Sequence, residues 1–466
     1  MTSSQTVPST SAPTYVSQRR LTVGLCVNIV AIAFETIAVA TAMPVAAWEL
    51  NGLTYYAWSF SAFGIGMLFA TVAAGRLSDR IGPAKPLLVG LGVFLVGLVV
   101  AGTAEHMLQL IGGRLVQGLG SGVINTAIFV CVAQAYSTIE RPKMFTYIST
   151  AWILPSFVGP PVSAWLTERL SWHWVFFAVI PLVIGGALMV LPTLRRMMRS
   201  YEQPVAGPDG ASPAPLWAAG LVAFAAAALQ LAGQRQDLVA LPLLVAGLVG
   251  LVVGLPRLMP ACFRRFQPGL SPVIITRGLL AGAFVGAEAF VPLMLVEERG
   301  IALVLAGAAL TVGSVGWTLG SWLQSRPWLK IRRDRLITLG CLSLTLGLGL
   351  TSVVALLPAI SYYLVGAAWI FSGLGMGLAT SSTGLAVMTL SARAEQGRNA
   401  SSLNLSDALG AGLFVGVSGT IFVALHDRGN LPLTFGAVLV TMAVVALLAA
   451  LASLRIGSVR NEFAPR

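Results

Sequence analysis

Four charged residues stand inside stretches otherwise apolar enough to exclude them: Glu35, Arg114, Glu288 and Asp407. A charge near the centre of a bilayer costs roughly 3 kcal/mol or more, so each needs a partner or a task. A carboxylate there can take up and release a proton, and an arginine beside it changes how readily it does so. Glu35 lies 14 residues after Leu21, and Arg114 lies seven residues into an inward-running segment. At about 1.5 Å per residue both fall in one layer, roughly 20 Å from the inner face. Together they form a candidate proton-coupling pair; a static ion pair joining spans one and four is the alternative, although buried pairs are not reliably stabilising. Glu288 falls at about 22 Å from the inner face and Asp407 at about 12 Å. Neither has an intramembrane cation beside it in sequence, so both are expected to carry protons or to recognise a cationic substrate.

The elements that position these groups follow from composition. A chain of 466 residues that is 56% hydrophobic and 10% charged, with a mean hydropathy of +0.84, is an all-α polytopic membrane protein. Its net charge of +12 reads as basic loops facing an anionic leaflet, which makes the lipid bilayer a partner and nucleic acid not one. Cys26, Cys131, Cys262 and Cys341 have no metal-ligand or redox-motif spacing, and His106, His173 and His426 fall in separate loops. No metal and no cofactor are expected. A membrane-embedded enzyme or a receptor is set aside, because the chain has no GxxxxGK[ST], no HExxH and no long soluble segment.

Fourteen stretches reach or approach the roughly 20 apolar residues that a span requires. They cover about 21–43, 54–75, 86–104, 107–135, 142–166, 174–193, 215–233, 238–258, 273–296, 301–325, 336–357, 361–391, 399–424 and 432–454. With the N-terminus inside, 24 of the 29 Lys and Arg residues fall in inner segments, Arg277 among them, and 4 in outer loops; Arg114 is the remaining one. That bias predicts both termini on the cytoplasmic side. Residues 1–20 lack the apolar core of a signal peptide and read as a disordered cytoplasmic tail.

Span four carries Gly118-Leu119-Gly120-Ser121-Gly122 and span twelve carries Gly373-Leu374-Gly375-Met376-Gly377. The two motifs begin 97 residues after Leu21 and 100 residues after Val273. Two six-helix bundles related by pseudo-two-fold symmetry, 21–194 and 273–454, would give that spacing. Between them lie a cytoplasmic linker (195–214), an inserted helix pair (215–258) and an interfacial segment (259–272) containing Arg264 and Arg265; 455–466 forms a second tail. The inserted pair carries no embedded charge and is expected to act as a spacer or to contact lipid.

A short polar run, Gly75-Arg76-Leu77-Ser78-Asp79-Arg80-Ile81-Gly82-Pro83-Ala84-Lys85, separates spans two and three and must be a tight turn at the membrane surface. It resembles the G-x-x-x-D-R-x-G-R-[RK] pattern of the major facilitator superfamily at Gly75, Asp79, Arg80 and Gly82, with Pro83 where an arginine is usual. Arg114, Gln117, Gly118 and Gly120 match that family's R-x-x-Q-G-x-G in span four, and Glu35 to Pro44 resembles its D-x-T-x-x-N-x-A-L-P. The antiporter motif of span five keeps Gly159 and Pro160, while Pro155 replaces its first glycine and Ser163-Ala164 its last two. The second-half copy of the turn, from Gly320 to Arg335, is degenerate, with Gln324 where an aspartate would match.

Among the superfamily, the chain looks most like the fourteen-span proton-coupled drug antiporters. The resemblance implies two bundles rocking about a central cavity, a monomer in a bacterial inner membrane, and export of a small lipophilic substrate driven by inward proton flow. Export of one lipid or secondary metabolite, or symport of a nutrient, is the alternative. Trp58, Phe63, Gln117, Asn125 and Trp152 are candidates for the cavity wall in the first half. Phe284, Phe290, Trp317 and Trp369 are their counterparts in the second. Gly75, Asp79, Arg80 and Gly82 are expected to form a conformational latch, with Asp79 meeting a helix N-terminus or Arg393 or Arg398 of the second half.

Overall fold

The computed structural model describes residues 15–137, 140–199, 215–235, 237–260, 262–263, 267–326, 328–391, 395–426 and 428–459. The expected tail up to residue 14, most of the 195–214 linker, Arg264, Arg265, Arg393 and residues 460–466 lie outside them. In hydrocarbon every backbone polar group must be satisfied within its own segment, and the described residues accordingly form helices. The first half contains α1 (Tyr15–Glu49), α2 (Trp58–Ile81), α3 (Ala84–Gly102), α4 (Met107–Ala135), α5 (Arg141–Ala151), α6 (Ile153–Arg169), α7 (His173–Phe177) and α8 (Ile180–Arg199). The inserted pair is α9 (Leu216–Gln234) and α10 (Ala240–Leu258). The second half contains α11 (Leu270–Glu288), α12 (Val291–Glu297), α13 (Leu303–Gln324), α14 (Arg333–Leu356), α15 (Tyr363–Leu390), α16 (Gln396–His426) and α17 (Leu431–Ser453).

Among the described residues, 13 helices are long and apolar enough to cross a membrane. The segment expected as a continuous span over 142–166 is instead two helices of 11 and 17 residues meeting at Trp152. The cause is local: Pro155 cannot donate to the carbonyl of Ala151, and its ring crowds that carbonyl, so the helix breaks one residue later. At the turn after α2, Gly82 has φ 76°, a conformation that excludes ordinary side chains, and Ala84 begins α3 directly afterwards.

The halves repeat one packing scheme. α2 packs on α4 as α13 packs on α15, α3 on α4 as α14 on α15, and α1 on α8 as α11 on α17. The glycine repeats make these approaches possible. A Cβ on Gly118 or Gly122 would strike the α2 carbonyls of Phe63 and Met67, and one on Gly373 or Gly377 would strike the α13 carbonyls of Gly313 and Trp317. The intervening Gly120 and Gly375 admit α3 at Phe94 and α14 at Gly340. Small residues thus replace hydrophobic drive, which is absent between helices in lipid.

The bundles meet along two seams, α2 with α16 and α6 with α13. On the first, Ala57 lies where a Cβ on Gly419 would project, and a Cβ on Gly64 would sit 3.6 Å from the Cα of Gly412. Gly75, on the same face of α2 and 11 residues nearer the basic loops, would place its Cβ in open space. On the second seam, the Oγ of Ser314 donates to the carbonyl of Ser156 (3.0 Å), and Gly307 packs against Pro160 and Thr41. The Tyr56 hydroxyl donates across the bundles to the carbonyl of Ala289 (2.6 Å), at the face away from the basic loops. Closed at that face and parted toward the basic one, the bundles form a wedge.

Candidate functional site

Glu35 of α1 and Arg114 of α4 are brought together as their depths predict. The Arg114 Nη1 donates to Glu35 Oε1 and to Gln117 Oε1 (2.9 Å), and its Nε donates to the carbonyl of Ser59 (2.8 Å). The guanidinium also lies 4.5 Å above the centre of the Phe63 ring. Both charged side chains are buried, at 0% exposure for Glu35 and 2% for Arg114. The network is nevertheless incomplete: Glu35 Oε2, Gln117 Nε2 and Ser59 Oγ make no hydrogen bond among the described residues. A buried pair with an unused carboxylate oxygen retains a place for a proton.

Asp407 differs from expectation. Arg277, counted with the inner loop, lies inside α11 and pairs with Asp407 Oδ1 at 2.5 Å. Its Nη1 donates to the carbonyl of Thr380 (3.0 Å) and to Thr383 Oγ1 (3.3 Å). Asp407 therefore has the cation that the sequence did not place beside it, and at 36% exposure it lies toward the open end of the wedge. Glu288, at the last position of α11, has no hydrogen bond or ion pair among the described residues and is half-buried.

Arg277, Phe284 and Glu288 lie on one face of α11, being 7 and 4 residues apart. Phe284 fills the middle of that stripe, 5.5 Å from Trp317 edge to face and 5.4 Å from Trp369 in a stack. Of the residues expected to line a cavity, Asn125, Trp152 and Trp317 keep accessible surface. Gln117 and Trp369 are fully enclosed in their bundles, and Phe63 lies under Arg114. Phe290 belongs to the closed face, 5.2 Å from the Tyr56 ring and 5.4 Å from Phe422. The Trp58 indole turns outward and donates to Gln234 Oε1 of the inserted helix α9 (2.6 Å).

The remaining motif residues sit at joints. Gly159 faces Ile37 of α1, and the carbonyl of Pro160 faces Gly307 of α13, where the halves touch. Asp79 and Arg80 occupy the exposed last turn of α2. In the second half the place of such an aspartate is taken by Gln324, whose Oε1 accepts from Arg333 Nη1 at 2.6 Å. Sequence reasoning missed Arg277, Tyr56 and the α9 glutamines. Only Arg277 had a usable signal, lying seven residues inside the helix that begins at Leu270. Among the described residues no cluster of three or more His, Cys, Asp or Glu is placed to hold a metal.

Comparison with known proteins agrees with this architecture. The chain is 26% identical over 357 residues to "Multidrug resistance protein 3" of Bacillus subtilis, covering 74% of this chain and 68% of that one. It is 29% identical over 177 residues to the "Acurin A biosynthesis cluster MFS-type transporter" of Aspergillus aculeatus, covering 38% and 31%. A solved POT family transporter in complex with a thioalcohol-conjugated peptide superposes with a TM-score of 0.70 at 16% identity, covering 94% and 97%, a likeness of fold. The model of the Major Facilitator Superfamily matches residues 24–410. With two repeated bundles, charges buried between their helices and a family match over most of its length, the chain belongs to the Major Facilitator Superfamily and moves small solutes across a membrane.

Proposed function

We propose that the chain couples inward proton flow to the export of one small amphipathic solute, a lipid or secondary metabolite, by alternating access, from a bacterial inner membrane with both termini cytoplasmic. The observation that carries this is the Glu35–Arg114 pair, buried at mid-membrane with one carboxylate oxygen unused. Protonation of Glu35 would release Arg114 and loosen α1 from α4; the membrane potential supplies about 2.3 kcal/mol per charge per 100 mV. Narrow substrate choice is supported by the rigid Phe284–Trp317–Trp369 cluster and by the altered span-five motif at Pro155, Ser163 and Ala164. A second reading, export of varied cationic drug-like compounds of the kind handled by fourteen-span antiporters, is favoured by Glu288, an unpaired acid available to a cationic group.

The wedge also supports a latch. Ala57 opposite Gly419 and Gly64 opposite Gly412 set an antiparallel register, which continues to Gly75 opposite Ser401 and Asp79 opposite the first turn of α16. Closing the basic face would bring Asp79 to that positive helix end.

The test is gradient-driven flux in proteoliposomes for lipids, neutral metabolites and lipophilic cations, comparing wild type with Glu35→Gln, Glu288→Gln and Asp407→Asn. Loss of coupling in at least one variant is expected, with flux confined to a narrow substrate class. Unchanged gradient-driven flux in all three would overturn the mechanism, and uptake in the direction of proton flow would replace export by symport.

A further inference from the structure

The inserted pair is more than a lipid-facing spacer, because α9 lies across the seam between the bundles and touches both α2 and α16. Its two attachments differ in tightness and extent. Toward the second half, the Thr420 side chain packs tightly onto Gly233, 2.1 Å from where a Cβ would stand, and the Gln230 side chain packs onto Gly416 of α16 at 3.3 Å. Nearer the basic face, Ser402 Oγ donates to the carbonyl of Leu258 at the end of α10 (3.4 Å). Leu255 and Met259 close a small apolar pocket of about 140 Å³ against α11 and α16. Toward the first half, α9 is held by side-chain tips: the Trp58 indole on Gln234, and Phe69, whose ring edge is 3.8 Å from the Cβ position of Gly220. An attachment packed tightly at several points along α9 and α10 fixes helices relative to one another, whereas one held by two side-chain tips can slide.

One side chain in this seam is unexplained by static packing. Gln230 is 97% buried (3% exposed), and neither its Oε1 nor its Nε2 has a hydrogen-bond partner among the described residues. Burying an amide unpaired is costly. Gln230 lies four residues before Gln234 on the same face of α9, one turn nearer the basic loops. The donor that Gln234 uses is therefore one helical turn, about 6 Å, from a second acceptor of the same chemistry.

We propose that the inserted pair travels with the second bundle and that Gln234 and Gln230 are alternative stops for Trp58: the indole bonds Gln234 when the basic face is open and steps to Gln230 when it closes. One-turn ratchets of packed helices are an established form of two-state motion. Trp58, Gln230 and Gln234 are thereby state-selecting residues, and the reading stands whatever the substrate.

The experiment uses the full chain in nanodiscs, with its four cysteines replaced by serine and nitroxides at Trp48→Cys and Leu433→Cys. These positions are exposed, at 72% and 46%, at the closed face of the first and second halves. Pulsed dipolar spectroscopy gives the ratio of open to closed distances at that face, read at the pH where the parent ratio is nearest one. Gln234→Leu should raise the ratio about fivefold and Gln230→Leu lower it by a similar factor, as loss of one net hydrogen bond allows. In a Trp58→Phe background, which lacks the donor, both shifts should vanish. Shifts in the same direction, no shift, or shifts that persist without the indole would overturn the proposal. Monodisperse elution of each variant separates these outcomes from misfolding.

Discussion

The two halves share a frame and fill it differently. Gly118, Gly120 and Gly122 each recur 255 residues later as Gly373, Gly375 and Gly377. The same step carries Arg114 to Trp369. Phe63, which lies beneath the guanidinium, corresponds to Gly313, whose missing side chain makes room for the indole. The α11 side chain beside Trp369 is Phe284, as the α1 side chain beside Arg114 is Glu35. Where the first half holds acid and base together, the second therefore stacks two aromatic rings, and its acid, Glu288, stands one turn further along α11. Its own ion pair, Arg277–Asp407, has moved toward the basic face, where Asp407 meets the open wedge. One scaffold thus offers a locked charge pair and, among the described residues, an unpaired acid, the division between energy coupling and recognition that the proposed function calls for.

Breaking the first-half pair should have the largest effect. Arg114→Leu leaves Glu35 buried without its cation, at an expected cost of about 3–5 kcal/mol, seen as a lower unfolding temperature in detergent and lost coupled flux. The double variant Arg114→Leu with Glu35→Gln should recover most of the stability and none of the coupling. If the single variant stays stable, the first half is not locked as described. Glu288→Gln should behave oppositely, leaving stability unchanged while lowering flux about tenfold, the middle of the range for coupling energies between sites. Arg277→Gln comes third, because its pair is partly solvated; about 1 kcal/mol of stability is expected from chemical denaturation.

The smallest effect concerns the closed face. There Glu49 accepts from the Trp172 indole (2.7 Å) in the first half, while Glu298 pairs with Arg299 (3.1 Å) in the second. Burial pushes the Glu298 carboxyl up to about 7, against the opposing pull of Arg299. Because the folded state then binds a proton more tightly than the unfolded one, stability falls as pH rises between about 4.5 and about 7. Glu298→Gln should remove part of that slope, a change of about 2 °C in the melting temperature at neutral pH. An identical slope in the variant would leave Glu298 without a role in it.

Much of this was legible from sequence because depth in a membrane converts directly into residue count. That arithmetic placed Glu35 beside Arg114, and the glycine spacing showed the paired bundles. Helix rotation was not legible. When a span is apolar all round, no amphipathic stripe reports its facing, so nothing in the residues around Trp58 distinguishes the central cavity from α9. Residue counting puts Arg277 with the inner loop, because cations near helix ends usually reach water, whereas here Asp407 holds it inward. The broken fifth span follows from Pro155, which removes a backbone hydrogen bond to the residue four places earlier, a loss that a hydropathy window does not score.

The seam between α2 and α16 has a mechanical consequence. Its contact points, Ala57 with Gly419 and Gly64 with Gly412, leave almost no side-chain bulk between the helices, so alternating access would turn the pair about a fulcrum near Gly64. Gly75 is 11 residues away, a lever arm of about 16 Å, and a tilt of about 20° there moves the basic end by roughly 6 Å. A single added methyl at Gly419, which would fall 2.2 Å from the Ala57 Cβ, would act as a shim in the seam, its thickness multiplied along the arm. In an alternating-access cycle the resting angle would then be set in part by how little stands at that seam, and not only by the charges that pull on its ends.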